Sequence, residues 1–182
     1  MEQEIILERF QETDFPRLID WINSERLMIQ WGRWNFVFPL TVPQLSEYMK
    51  NTQGDKPNRI VLKGLTARNR EVIGHIELDR ISYTQGTASV CRVLIGPPEM
   101  RGKGYGQSLI REILRYAFEN LVLRRVDLQV YAFNTSAIAS YERVGFKREG
   151  CLRKHYKYGD ELWDLIWMGI LREEWAAAKS PA

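Results

Sequence analysis

Hydrophobic positions in the middle of the chain repeat with the helical period. Leu109, Ile110, Ile113, Leu114, Ala117, Phe118 and Leu121 share one face, and Arg111, Glu112, Arg115 and Glu119 take the other. That spacing predicts an amphipathic helix over Gln107–Leu121 packed on a core. Just beyond it, Val126, Leu128 and Val130 alternate with Asp127, Gln129 and Tyr131, the period of a strand.

The same two periods organise the rest. Ile5–Phe10 predicts a strand. Leu18, Ile19, Trp21 and Ile22 predict an apolar helix face behind a cap at Thr13 or Asp14. "TVPQLSEYMKN" predicts a second short helix, opened by Thr41 and an early proline. Between the two, "WGRWNFVFPL" is aromatic, broken by Gly32 and Pro39, and reads as a loop. Strands follow over Arg59–Thr66, Val72–Leu78 and Thr87–Ile95. "NTSAIASYERVGF" predicts a short helix capped by Asn134 or Thr135, with Gly145 suited to the left-handed position past its end. Two closing strands, Phe146–Cys151 and Glu161–Leu171, flank a turn at "YKYGDE". This order predicts a mixed α/β (α+β) fold with one sheet covered by helices. No repeat or linker divides it, so a single domain is expected over 1–175, followed by a short Ala-rich tail, 176–182.

Composition narrows the picture only slightly. The chain has 182 residues, 45% hydrophobic and 27% charged, enough for a core without disulfides. A net charge of +3 is too weak to argue for nucleic acid and suits an anionic ligand equally well. Arg101, Lys103, Arg111, Arg115, Arg124 and Arg125 could form an RNA-binding stripe, but Glu112 and Glu119 balance the helix face and no RNA-binding aromatic motif accompanies them. Cys91 and Cys151 lack CxxC spacing and read as reduced thiols in a cytoplasmic protein; His75 and His155 are too isolated for a metal cluster. The start, "MEQEIILERF", has no apolar signal region, and no apolar run reaches membrane-spanning length. No metal, membrane or nucleic acid is expected.

The chemistry concentrates in "EMRGKGYGQS", residues 99–108, immediately before the long helix. A helix start offers unpaired N–H groups and a partial positive charge, and glycines let an anion approach them. The spacing is not that of a P-loop, because Lys103 precedes the last two glycines and Ser108 follows no lysine. Nor is it a dinucleotide fingerprint: Gly102 and Gly104 fit, but Gln107 stands at the third glycine, and Asp127 lies mid-strand.

Arg101, Gly104 and Gly106 match [Q/R]-x-x-G-x-[G/A], which resembles the acetyl-CoA signature of the GNAT N-acetyltransferase superfamily. Asn134, Ala137, Tyr141, Arg143, Gly145 and Phe146 resemble that family's later N-x-x-[SA]-x-x-x-Y-x-[KR]-x-G-F segment. The order of elements resembles the family fold over nearly the whole chain, with Val72–Trp167 carrying most of the likeness. "RGKGYG", "RYAFENLVLRRV" and "GFKREGCLRKHYKYGDELWDLIWM" resemble the RimJ/RimL-type branch of protein N-terminal acetyltransferases and their small-amine relatives. "LIDWINSERLMIQWG" is more loosely similar to aminoglycoside N-acetyltransferases.

The resemblance implies a mostly antiparallel twisted sheet, splayed at the cofactor site. It implies direct transfer of acetyl from acetyl-CoA to a primary amine: a protein N-terminus, a polyamine, an amino acid or an aminoglycoside. The diphosphate would lie on Arg101, Gly102, Lys103, Gly104, Tyr105, Gly106 and Gln107. The pantetheine arm would pair along Val93, Leu94 and Ile95, with Asn134 and Ala137 contributing from the later helix. Tyr141 would donate a proton to the leaving thiolate. For the base that takes the amine proton, Glu77 is the first candidate and Asp164 the second, with His75 a weaker option. Trp31 and Trp34, with Phe36 and Phe38, stand where the family builds its acceptor pocket, though core packing explains them equally well. Many members pair as dimers, which leaves a homodimer open. The rival reading is a non-catalytic acyl-CoA-binding sensor that uses the same cradle.

Overall fold

The structure is a computed structural model that describes residues 3–50 and 52–179. Strand β1 (Ile5–Arg9) leads into helices α1 (Phe15–Trp21), α2 (Glu25–Gly32) and α3 (Val42–Tyr48). Strands β2 (Ile60–Thr66), β3 (Val72–Ser82) and β4 (Thr87–Ile95) follow. Then come α4 (Tyr105–Arg115), β5 (Arg125–Tyr131), α5 (Thr135–Val144), β6 (Lys147–Tyr158), β7 (Glu161–Leu171) and α6 (Arg172–Lys179). The strands form one seven-stranded sheet in the order β1-β2-β3-β4-β5-β7-β6. Only β4 and β5 run parallel; every other neighbouring pair is antiparallel.

The period of α4 does what the sequence predicts. Its apolar stripe, Leu109, Ile110, Ile113 and Leu114, is fully buried against Ile76, Leu78, Val90, Val126 and Leu128. Helices α4 and α5 cover this face. On the opposite face α1, α2 and α3 enclose a second core of Phe15, Leu18, Met28, Trp31, Leu45 and Tyr48. The sheet thus separates two apolar layers.

Several elements differ from their predicted bounds. Helix α2 takes up Glu25–Gly32, so the first part of the expected aromatic loop is helical. Ser24 caps it by accepting from the Leu27 N–H at 3.4 Å. Helix α4 begins two residues earlier, at Tyr105, and widens into a π turn over Tyr116–Asn120. Strand β3 runs on to Ser82, and β6 extends to Tyr158, well past Cys151. The expected tail is a helix as far as Lys179, crossing the expected boundary at 175. Buried Trp175 anchors it, 5.4 Å from the Phe118 ring. Residues 180–182 lie outside the described residues.

One packing detail sets how closely α4 approaches the sheet. Gly64 and Gly74 face each other across β2 and β3. A Cβ on Gly64 would stand 2.5 Å from Leu109 Cδ1, and one on Gly74 3.1 Å from Leu109 Cδ2. The paired glycines therefore form the socket into which Leu109 fits. Overpacking such a contact costs about 1–3 kcal/mol. Gly64→Ala should lower the urea midpoint by an amount in that range. Gly150→Ala, whose Cβ would meet open space, should leave it unchanged or raise it. Equal effects of the two substitutions would refute the socket.

Candidate active site

The parallel pair opens. β4 and β5 are in register only from Thr87–Val90 against Arg125–Leu128. Past that point each keeps its outer partner: β4 stays on β3 as far as Ile95, and β5 on β7 as far as Tyr131. The inner edges part, leaving a seam flanked by Cys91–Ile95 and Gln129–Tyr131. Backbone polar groups along such an edge require partners, and an extended ligand can supply them.

A bulge starts the opening. Three steps along β4, Cys91 to Leu94, face two along β3, Glu77 to His75. Arg92 takes up the extra length in the left-handed region, at φ 52°. Its carbonyl accepts from Trp31 Nε1 at 3.2 Å and meets His75 Nδ1 at 3.1 Å. Its Nη1 lies 2.7 Å from both oxygens of Glu77. Tyr48 donates a short hydrogen bond to the same carboxylate, and Arg59 Nε lies 3.4 Å from it. Trp31, Phe36 and Tyr48 ring the Arg92 guanidinium at 5.9, 5.4 and 5.0 Å. Of the aromatic residues expected to hold an acceptor, Trp31 and Phe36 thus surround an internal cation, though Trp31 also lines the cavity described below, and Phe38 is exposed. The Trp34 side chain lies outside the described residues.

This arrangement decides the roles open to the expected bases. Glu77 is fully buried. Burial raises its pKa against the pull of Arg92 and Tyr48, and against its own desolvation Arg92 is held protonated by Glu77. Such a carboxylate holds the bulge and is closed to an incoming amine. Asp164 has a structural task too: its Oδ1 accepts from the Lys154 N–H at 2.7 Å, where β6 bulges between Leu152 and Tyr156. His75 is fully buried between Phe10 and Trp31, its pKa lowered to about 4 by burial.

Asp79, two residues beyond Glu77 on the same face, is the acid that sequence reasoning missed. It lines a cavity of about 180 Å³ with Trp31, Arg33, Arg80, Cys91, Arg92 and Gln129. Cys91 sits just past the last paired residue of β4. Burial pushes its thiol up to about 12, with Glu77 adding to the effect, so it is protonated at neutral pH. Tyr141, on α5, is buried; burial first, then Cys91, raises its phenol well above the usual value. The bulge thus brings Asp79, Cys91 and Tyr141 to the mouth of the seam. Ligand atoms of Glu77, Asp79 and Cys91 lie within 4.8 Å of one another. Arg92 and Arg59 already neutralise the carboxylates, and the thiol keeps its proton, so these donors are poorly suited to a metal ion.

At the far end of the seam lies the glycine segment, the expected anion cradle. Gly102 and Gly104 are left-handed, at φ 72° and 92°, which glycine adopts freely. Gly104 caps α4 through its carbonyl, which accepts from the Gln107 and Ser108 N–H groups at 3.0 and 3.2 Å, and no side chain caps the N–H groups of Tyr105 and Gly106. Gly106 is helical, and a Cβ there would meet only Ile95 Cγ1, at 4.0 Å. Neither conformation nor internal packing requires glycine there. Arg101 donates from Nε to the Ile95 carbonyl at 2.9 Å and from Nη2 to that of Gly96 at 2.7 Å. It ties the cradle to the end of β4. Lys103, by contrast, is exposed. Asn134 caps α5 by accepting from the Ala137 N–H at 3.3 Å, which leaves its amide NH2 for a ligand. A larger groove of about 680 Å³ runs between α4, α5 and α6, and no seam residue lines it.

The acetyltransferase (GNAT) domain profile matches residues 4–147, and the chain belongs to this family. It is 35% identical to the putative ribosomal N-acetyltransferase YdaF of Bacillus subtilis, over 98% of this chain and 97% of that one. It is 33% identical to the prophage-derived uncharacterized N-acetyltransferase YokL of the same organism, over 58% of this chain and 59% of that one. The crystal structure of Vibrio cholerae spermidine N-acetyltransferase in complex with CoA and spermine superposes with a TM-score of 0.80. It has 27% identity and covers 95% of this chain and 98% of that one. The GNAT fold expected from the sequence is the fold observed. No helix among the described residues is long and apolar enough to cross a membrane.

The buried histidine has a pH consequence. An unfolded histidine titrates near ~6.5, above the folded value, so the unfolded chain binds the proton first as pH falls. His75's contribution is therefore complete above about pH 6.5 and is lost progressively toward about pH 4, a loss on the order of 3 kcal/mol. The urea midpoint should fall between about pH 7 and pH 5, and His75→Gln should flatten that slope. Parallel slopes would place the acid sensitivity elsewhere.

Proposed function

We propose that the protein transfers acetyl directly from acetyl-CoA to a primary amine seated on the α1–α3 face of the seam. The single observation that carries this reading is the junction at Cys91. There the unpaired edge of β4, which runs on to the glycine segment beyond Ile95, meets the Tyr141 phenol and the Asp79 carboxylate. The residues fit the cosubstrate. Main-chain N–H groups from Gly102 to Gly106 would hold the diphosphate, with Gln107 beside them, and the edge at Val93, Leu94 and Ile95 would take the pantetheine amides. Lys103, Tyr105, Asn134 and Ala137 would line its path. Bound acetyl-CoA supplies the acetyl thioester.

An α-amine, with a pKa near ~8, needs little help to lose its proton near neutrality. Asp79 attracts the ammonium and accepts that proton through water. The amine nitrogen then bonds to the acetyl carbon, and the carbon–sulfur bond breaks with its electron pair on sulfur. Tyr141, kept protonated by burial, supports that thiolate and donates to it. A thiol with a pKa near ~8.5 is already a fair leaving group, so hydrogen-bond donation suffices. An acyl-enzyme on Cys91 is disfavoured, since its thiol stays protonated.

Within the family we place the chain beside the RimJ/RimL-type N-terminal acetyltransferases and their small-amine relatives. Similarity to a putative ribosomal N-acetyltransferase on one side and a spermidine N-acetyltransferase on the other supports that breadth.

Tyr141→Phe should retain acetyl-CoA binding, seen as a cofactor-induced rise in melting temperature, and lower kcat by about 100-fold. Unchanged turnover would remove Tyr141 from the mechanism. If no amine releases free thiol while the cofactor still raises the melting temperature, the sensor reading replaces this one. Cys91→Ala should keep most of the activity of the wild type; abolition without loss of fold would revive the acyl-enzyme.

A further inference from the structure

The cavity on the acceptor side has a charge pattern that the spermidine enzymes' ligand does not match. Arg33, Arg80 and Arg92 line it with one carboxylate, Asp79; outside the lining, Glu77 pairs with Arg92 and Asp127 lies 4.0 Å from Arg80, while Arg33 is held by the neutral Gln129. The arginines come from three elements: the turn after α2, the bulged end of β3, and the bulge of β4. All three have positive φ, at 52° each, so each guanidinium is presented from an irregular stretch of backbone. Burial lowers the pKa of Arg33, and the neighbouring Arg80 and Arg92 press it down further. Clustering of like charge around an opening is unfavourable unless an anion enters it.

A second observation points the same way. Arg92 is nine-tenths buried, and its Nε–H has no acceptor among the described residues. Its Nη1 is committed to Glu77, so the unused donor belongs to a side chain that lines the cavity. Buried donors of this kind are costly until an acceptor arrives. Arg80 is more than half exposed and holds Ser89 Oγ at 2.8 Å through Nη2 alone. Its remaining N–H groups can turn to a ligand.

Size adds a third constraint. About 180 Å³ is small beside the ~300–1,000 Å³ of pockets for drug-sized ligands. As an open recess it seats a group of about amino-acid size without limiting how far the rest of a ligand extends.

We infer that the acceptor is a small primary amine carrying an acidic group, carboxylate or phosphate, close to the reactive nitrogen. The inference rests on the acetyl-transfer reading above and deepens it. Asp79 receives the ammonium end at the mouth of the seam, and the guanidiniums receive the acidic end. A polyamine satisfies the first contact and is repelled by the second.

Matched pairs of acceptors test this at fixed acetyl-CoA, with released thiol followed. The pairs are glycine with glycinamide, L-glutamate with L-glutamine, and O-phosphoethanolamine with ethanolamine; spermidine is assayed alongside. Glycinamide has the less basic amine and is more available at neutral pH, so intrinsic reactivity opposes the expected result. In at least one pair the more acidic member should win by about tenfold or more in kcat/KM, as expected of a charge-assisted contact, and spermidine should trail it. Which pair shows the effect separates carboxylate from phosphate. Arg80→Asn and Arg33→Asn, which keep a residue tolerant of positive φ, should shrink that preference through KM. Preference for spermidine or the less acidic partners, or a preference untouched by both substitutions, overturns the inference while leaving acetyl transfer standing. Absence of thiol release across the whole panel, with the cofactor still raising the melting temperature, overturns both.

Discussion

A left-handed arginine in a central strand is the constraint on which the site depends. A non-glycine residue at φ 52° costs on the order of 1–3 kcal/mol and persists only where its surroundings compel it. Arg92 is compelled at both ends. Trp31 and His75 hold its carbonyl, while Glu77, flanked by Tyr48 and Arg59, holds its side chain. Without the extra residue, β4 could continue in register with β5 beyond Val90. With it, the strands part, and the edge of β4 is left without a neighbour. The opening is therefore a property of the α1–α3 side of the sheet, although the cradle that would use it lies at the start of α4.

The buried pair also explains why the acid one expects to be catalytic is not available. A charge in a dry interior is tolerable only when paired and hydrogen-bonded, and Glu77 meets both conditions. Removing one partner of such a pair typically costs ~3–5 kcal/mol, so Glu77 is tied to folding before any other task. Its field reaches further: it helps keep Cys91 protonated, which favours direct attack over a thiol relay. Asp79 escapes this role. It shares Arg59 at 3.2 Å yet still lines the cavity, which leaves it accessible for proton traffic.

How much of this could be read from the sequence depended on how local each signal was. The helix at α4 was legible because its apolar period spans three turns and more. The cradle and the later capped helix were legible because their glycines, Asn134 and Tyr141 sit at fixed short spacings. The left-handed angles at Gly102, Gly104 and Gly145 justify those glycines after the fact. Strand β6 is hard to follow beyond Cys151 because Lys154 interrupts the face carried by Leu152, Tyr156 and Tyr158, and Arg153, His155 and Lys157 make the other face polar. An edge strand exposed along nearly its whole length carries only this broken alternation. Helix α6 was taken for a tail because Trp175 is its only large apolar anchor. Arg92, Glu77 and Asp79 left no local trace of their roles. The bulge is defined by the register of two strands, and the pairing joins positions 15 residues apart. A strand of the form His-Ile-Glu-Leu-Asp marks Glu77 as an acid in a core, without saying whether it catalyses or cements.

The same contrast separates what transfers between relatives from what does not. The seam and the cradle are made of backbone: a bulge, an unpaired edge, open N–H groups and glycines that admit a diphosphate. Any side chains that preserve those conformations preserve the seam and its open edge, consistent with a fold shared at 27% identity. The acceptor end is made of side chains from the end of α2, from β3 and from β4; Arg92 and Trp31 among them are tied to the bulge, whereas Arg33 and Arg80 lie outside that network. Reversing its charge needs only a few substitutions on a constant frame. Similarity to an enzyme that binds a polycation therefore constrains the reaction strongly and the acceptor weakly. On the reading proposed above, the acceptor is decided by the arginines around Asp79 rather than by the fold.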